Sequence, residues 1–359
     1  MTRKPRTKSA RTPARMDIRD VAARAKVSIS TVSRAMNGVS SVNPKMAAAV
    51  WRAAEELGYT PNTLARALVS GRSRILGLIV SEITNPFFPE LIQRFEEAAV
   101  ASGYDVLIAS TNHEAQRTAQ CIRRMISRNV DGVAVMTFGL EGMHVRELSM
   151  RNVPMVFIDE GPALPNVETL HVDYRRGIRQ GVQHLAALGH RRIAFVSGPL
   201  HATSARARQE AFCLALGEIG LATPLGFLAE GGHTLEGGQA AMSELLDLPN
   251  PPTAVICSND LSAIGVLHGV AERRLRVPDD LSVIGFDDVH IAQFTLPPLT
   301  TIRMACIDIA QGAVSALRHK LEPATQPPAA VAPITTNLVV RRTTSYPRGA
   351  MDDLIASPS

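Results

Sequence analysis

Several apolar runs in this chain end in residues able to hold a small polar ligand. LSVIGF at 281–286 leads into Asp287, whose carboxylate can accept two hydroxyl hydrogen bonds. PMVFI at 154–158 leads into Asp159, and AVICS at 254–258 into Asn259 and Asp260. GLIV at 77–80 is followed by Ser81, Asn85 and Phe87, and a phenyl ring can cover the face of a sugar or a base. Arg208 closes the SARAR stretch that opens a helical segment, a place suited to clamping a carboxylate or a ring oxygen. The alternative for each is a helix cap or an ion pair between halves of the fold, and Asp260 and Asp288 fit caps better than ligand contacts. Nothing in the sequence has the form of a catalytic site: there is no GxxxxGK[ST], no GxGxxG after a strand, no HExxH and no GxSxG. Cys121, Cys213, Cys257 and Cys306 lie far apart without CxxC spacing, so neither a zinc site nor a redox pair is expected. The expectation is a binding protein, with no enzyme activity, cofactor or metal.

A second chemistry sits near the N-terminus. Asp17, with Asp20 three residues on, can cap a helix carrying Val21, Ala22 and Ala25. Ser28 can cap a second, short helix to about Met36. Asn43 with Pro44 opens a third, which runs to Leu57 and stops at Gly58. Only Lys26 and Val27 separate the first two helices, the spacing of a helix-turn-helix. Val27 and Val32 then form the small core under the turn. Ser28, Ile29, Ser30, Ser33 and Arg34 fall on the exposed N-terminal face of the second helix, the part such a helix presents to base edges in a major groove. Arg34 suits a bidentate bond to guanine, Ser30 and Ser33 suit phosphate or base-edge contacts, and Ile29 suits a thymine methyl. The competing reading is a solvated helical hairpin.

Charge favours the nucleic-acid reading. Residues 1–72 hold 14 Lys+Arg against 4 Asp+Glu, a net of +10, whereas the rest holds 24 against 29, a net of −5. A basic end module on an acidic body fits a polyanion binder with a regulatory part. Residues 1–15 read as a disordered basic arm. They are followed by no apolar stretch that would make a signal peptide, and a cytoplasmic location is expected. The expected domains are 16–60 for the helical head, 61–73 for a hinge that could be helical from Asn62 to Val69, and 74–345 for the body. Residues 346–359 are expected to form an unstructured tail. Within the body, β-branched runs at 75–80, 105–110, 132–136, 154–159, 192–198, 225–231, 253–258 and 281–288 alternate with helical stretches. That rhythm implies parallel sheets covered by helices. The strand count implies two lobes, with a crevice at the strand C-termini.

With DVAARAKVSISTVSRAMN followed by VNPK, ELGYTPNTLARAL, NPFFPEL, VDGVAVM, GHRRIAFVSGP, SARARQEAF, CSNDLSAIG, LRVPDDLSVIGFDD and PPLTTIR, the sequence resembles the lactose-repressor (LacI/GalR) family over about residues 16–345. The resemblance implies an α-helical helix-turn-helix DNA-binding domain and an α/β two-lobed, periplasmic-binding-protein-like effector domain. It implies a homodimer on a near-palindromic operator, regulated by a small molecule: a sugar or sugar acid first, a purine-like ligand second. Thr31, Asn37 and Tyr59 join the DNA-binding set. Family hinges form a helix on operator DNA and insert a leucine into the minor groove; here that residue is Leu68, with Asn62 and Ala65 beside it. Positions matching Arg208, Asn259 and Asp287 contact the effector in the family, as do those near Phe87 and Asp159. His233 falls near a position where relatives stack an aromatic ring, and could donate a hydrogen bond instead. The head departs from the family pattern in two places. Lys26 stands where glycine is usual, and Met46 and Ala47 replace a threonine and a basic residue. A solute-binding protein for transport is the rival reading, opposed by the basic head.

Overall fold

The computed structural model describes residues 16–36, 41–59, 71–137, 142–159, 161–322 and 333–348. The chain divides into two compact units, Met1–Ser73 and Arg74–Ser359. The expectations for the basic arm, Asn37, the helical hinge with Asn62, Ala65 and Leu68, and most of the tail fall outside the described residues.

The first unit contains α1 (Ile18–Ala25), α2 (Ile29–Met36) and α3 (Pro44–Glu56). Asp17 accepts from the amides of Arg19 and Asp20, and the Asp20 carboxylate answers the Asp17 amide at 2.8 Å, a reciprocal capping box. Lys26 closes α1 in the left-handed region at φ 56, its amide donating to the carbonyls of Ala22 and Ala23. Ser28 Oγ takes the Thr31 amide at 3.2 Å, and Asn43 Oδ1 takes that of Lys45 at 2.9 Å. Val21, Val32 and Val50, one from each helix, are wholly buried together, with Val27 and Tyr59 packed alongside.

The second unit has two lobes. The first is a parallel sheet ordered β2 (Asp105–Ser110), β1 (Ile75–Val80), β3 (Gly132–Met136), β4 (Met155–Ile158) and β5 (Val167–Leu170). Helices α4 (Phe87–Ala101), α5 (Ala115–Ser127) and α6 (Gly142–Met150) flank it. Strand periodicity sorts β1 between two cores: Leu76, Leu78 and Val80 pack with Leu91 and Phe95 of α4, while Ile79 packs with Ile122 and Met125 of α5.

The second lobe is a sheet of β6 (Val172–Asp173), β12 (Ile334–Val339), β11 (Thr300–Met304), β10 (Ser282–Asp287), β9 (Ala254–Cys257), β7 (Ile193–Ser197) and β8 (Leu228–Glu230), in that order. Its helices are α7 (Tyr174–Ala187), α8 (Thr203–Glu218), α9 (Leu235–Leu246) and α10 (Asp260–Glu272). Helix α11 (Cys306–Leu321) follows β11 but packs on α4 and the first sheet. The chain therefore passes between lobes near His171, after Met304, and again between Leu321 and Ile334.

Three details differ from expectation. The sheets are not purely parallel, because β12 runs antiparallel to β11. The run at 225–231 yields only three strand residues, with Leu225 fully exposed. The start of the tail is tethered: Arg348 donates to Asp280 at 2.7 Å. Among the described residues, no helix is long and apolar enough to cross a membrane.

Candidate functional site

The head presents one polar helix face. Ser28, Ile29, Ser30 and Arg34 are exposed, and Thr31 and Ser33 half-buried, while Val32, Ala35 and Met36 of the same helix are buried. Ser28 Oγ lies 2.8 Å from both Ser30 Oγ and Thr31 Oγ1. The Ser28 hydroxyl is thus engaged as a cap, whereas Ile29 and Arg34 project freely. Tyr59 is half-buried against the head's core. Ala47, at one of the departures from the pattern, also packs there, and Met46 is exposed.

The body holds a cavity of about 410 Å³. Ser81, Phe87, Asp159, Arg208, His233, Asn259 and Asp287, all seven residues expected to meet an effector, line it together. The topology explains the gathering. Ser81 follows β1, Asp159 follows β4, Asn259 follows β9 and Asp287 ends β10, so each apolar run delivers its next polar residue to the same rim.

Arg208 is the electrostatic centre. Its Nη1 donates to the Ser258 carbonyl at 2.5 Å, and its Nη2 lies 3.8 Å from Asp287 Oδ1. The guanidinium carbon sits 4.1 Å from the Phe286 ring centre and 4.8 Å from that of Tyr174. Arg208, expected to clamp a carboxylate or a ring oxygen of a ligand, faces the carboxylate of Asp287 in this structure. Burial pushes the Asp287 carboxyl up to about 7, against the pull of Arg208, and the nearby Glu90 adds to the rise. Its backbone is left-handed at φ 107.

Asn259 caps α10 by accepting the Ser262 amide at 2.9 Å, and its Nδ2 donates to the His233 carbonyl at 3.1 Å. His233 Nε2 lies 2.8 Å from Ser258 Oγ, and burial, aided by Arg208, drives its pKa down to about 3, so the ring is neutral. Ser81 Oγ donates to Thr137 Oγ1 at 3.0 Å, and the amide of Phe87 is taken by Asn85 Oδ1 at 3.1 Å.

The cap reading of two aspartates is corrected. Asp260 accepts from the Val289 amide at 2.9 Å and from Thr301 Oγ1 at 2.6 Å, bracing the turn after Asp287 while its neighbour Asn259 caps the helix. Asp288 bridges Arg303 at 2.6 Å and Arg341 at 2.5 Å.

Sequence reasoning also missed cleft residues. The Tyr174 hydroxyl donates to Asp159 Oδ2 at 2.6 Å, joining the two lobes across the cleft. His113 Nε2 lies 3.7 Å from Glu82 Oε1, and each holds the other toward its charged form, the histidine raised and the carboxyl lowered. Only DY after a short Val-rich run could have marked Tyr174. Nothing in the sequence pairs His113 with Glu82.

The helical head matches the model described as bacterial regulatory proteins, lacI family, over residues 17–62, and residues 182–344 match the periplasmic binding protein-like domain. The HTH-type transcriptional repressor CytR of Escherichia coli (strain K12) is 35% identical over 305 residues, covering 85% of this chain and 89% of that protein. The chain belongs to the LacI family of bacterial regulatory proteins. Another member, the ribose operon repressor of the same strain, is 34% identical over 312 residues, covering 86% and 93%. Among solved structures, the lac repressor dimer bound to operator and the anti-inducer ONPF superposes with a TM-score of 0.79 at 28% identity, covering 92% of this chain and 99% of that one. The CelR–cellobiose complex gives 0.69 at 29%, covering 92% and 100%. As a LacI-family protein, the chain is a DNA-binding transcriptional regulator with an effector-binding body.

Proposed function

We propose that this protein represses transcription from a near-palindromic operator as a cytoplasmic homodimer, and that a small molecule in the cleft sets its affinity for DNA. The convergence of Arg208, Asp287, Asp159, Asn259, Ser81, Phe87 and His233 on one cavity carries the effector half of this reading. The exposed Ile29–Arg34 face of α2 supports the DNA half. Ser28, Ile29, Ser30, Thr31, Ser33, Arg34, Asn37 and Tyr59 contact the operator, and Asn62, Ala65 and Leu68 act at its centre. A sugar or sugar acid is favoured over a purine-like ligand, in line with a relative named for the ribose operon and a structural neighbour bound to cellobiose.

The mechanism is a two-state switch. The ligand favours one lobe arrangement, and lobe movement alters the paired hinges, with coupling of about 1–3 kcal/mol. Selection of bound duplexes from a random pool tests the proposal, using the full chain at fixed salt. Enrichment of an inverted repeat supports it. Arg34→Ala should then weaken the selected duplex by about 1–3 kcal/mol and leave random DNA nearly unaffected. No enrichment over random competitor would remove the regulator reading for this chain.

A further inference from the structure

On the reading that the effector occupies the cleft, its charge can be read from the lining. Four carboxylates face the cavity, Glu82, Glu114, Asp159 and Asp287, and Arg208 is the one guanidinium among the residues that line it. The buried cationic capacity is already committed; the third lining histidine, His201, is exposed at the rim. Arg208 Nη2 faces Asp287, Nη1 is held by the Ser258 carbonyl, and the two aromatic rings cover the guanidinium. His113 is bound to Glu82, and the buried His233 ring is neutral. Glu114 lies at the exposed rim with Arg117 at 3.4 Å. Asp159 has no ion pair among the described residues; burial raises its pKa, against the Tyr174 hydroxyl, the charge of Arg208 and the Val172 backbone, which favour the carboxylate. An anion entering here finds no free buried cation and must pull Arg208 from Asp287. A ligand rich in hydroxyls meets acceptors at Asp159 and Asp287, and one buried donor still wants an acceptor: Arg208 Nε has no hydrogen-bond partner.

We propose that the cleft selects an uncharged, hydroxyl-rich ligand and rejects the acid or phosphorylated form of the same skeleton. This narrows the sugar and sugar-acid class to neutral sugars or nucleosides. It also disfavours a bare purine, which brings too few O–H and N–H donors for the carboxylates. Asp287 enforces the choice, because it occupies the position at Arg208 that a ligand carboxylate would need.

The test uses matched pairs: ribose and ribonate, glucose and gluconate, adenosine and cytidine with their 5′-monophosphates. Thermal shift and calorimetry are run on the full chain. A neutral member is expected to bind at least about 100-fold tighter than its charged partner, the scale of discrimination open to a site built on polar contacts. Comparable or tighter binding of the charged member overturns the inference and leaves the cleft as an effector site. No shift from any member, neutral or charged, sinks both the inference and the effector reading of the cleft, while the duplex selection still judges the DNA half alone. In Asp287→Asn the preference for the neutral member should shrink as Arg208 is freed. If that variant does not fold, Glu82→Gln at the rim provides the same comparison, and a preference unmoved in the folded variant overturns the role given to lining charge.

Discussion

Nη2 of Arg208 lies 3.8 Å from Oδ1 of Asp287, and both side chains are almost wholly removed from solvent. Removing one partner of such a pair leaves a buried charge uncompensated, at a cost of about 3–5 kcal/mol. Arg208→Ala should cost that much at pH 8, where Asp287 is largely ionised. At pH 6 the cost should be smaller. Asp287 titrates at about 7 even with Arg208 pulling it down. Without Arg208 its pKa climbs further, and protonation relieves the unpaired charge at the lower pH. Guanidinium unfolding at the two pH values checks this. An equal loss at both would mean that Asp287 is not the group left exposed by the mutation.

Lys26 holds the turn of the head at φ 56, a conformation that costs a residue with a Cβ about 1–2 kcal/mol. Lys26→Gly removes that cost and gives back about 0.5–1 kcal/mol in glycine's extra chain entropy. A net gain of the order of 0.5–1 kcal/mol is therefore expected. The chain has a single tryptophan, Trp51, and it lies on α3 of the head. Its fluorescence during denaturation reports the head separately from the body. A head less stable with glycine would show that the Lys26 side chain contributes more than its backbone costs.

The head's helix limits were legible because Asp17, Ser28 and Asn43–Pro44 are local signals, each satisfied by amides two or three residues on. The cleft was legible for a different reason. A βα chain brings the C-terminal ends of its parallel strands to one rim, so the polar residue after each apolar run was enough to find Asp159, Asn259 and Asp287. A contact that joins distant segments leaves no local mark in the sequence. Glu82 and His113 are 31 positions apart, and Tyr174 reaches back across the lobes to Asp159. Strands β5, β11 and β12 were not legible either. VETL, TTIRM and ITTNLV mix threonine and charge into short strands, and ITTNLV finds its partners β11 and β6 only after the chain has crossed between lobes three times.

Two glycines let α9 and α10 touch backbone to backbone. A Cβ at Gly265 would lie 2.0 Å from the Leu235 carbonyl oxygen, and one at Gly238 would lie 2.1 Å from that of Ser262. Neither carbonyl can rotate away as a side chain would, so Gly265→Ala should destabilise the body by about 1–3 kcal/mol. The same change should weaken ligand binding, because α10 begins directly after Asn259 in the cleft. Gly217→Ala is the contrast. Near the end of α8 nothing lies within 4 Å of the added methyl, and the change should be neutral or stabilising by up to about 1 kcal/mol. Denaturant midpoints of the two variants decide it; similar values would mean that the helices separate at little cost.

His233 and Asp287 face the same cavity and push the acid stability of the body in opposite directions. Folded His233 titrates at about 3 against an ordinary 6.5, so between those values the unfolded chain binds more protons and stability falls as the pH drops. Folded Asp287 titrates at about 7 against 3.8, so between those values the folded chain binds more protons and stability rises as the pH drops. Over roughly pH 6.5 to 4 the two largely offset each other. His233→Asn removes one side of the balance. Asparagine tolerates the left-handed backbone at φ 63 and retains a donor toward Ser258. Whatever the variant loses at pH 7.5 through altered packing, it should recover relative to the parent chain on acidification, the two stability curves differing in slope by up to about one proton. Urea midpoints at pH 7.5, 6 and 4.5 measure this. Parallel curves would show that His233 takes up its proton in the folded protein, leaving a charged ring at the cavity wall.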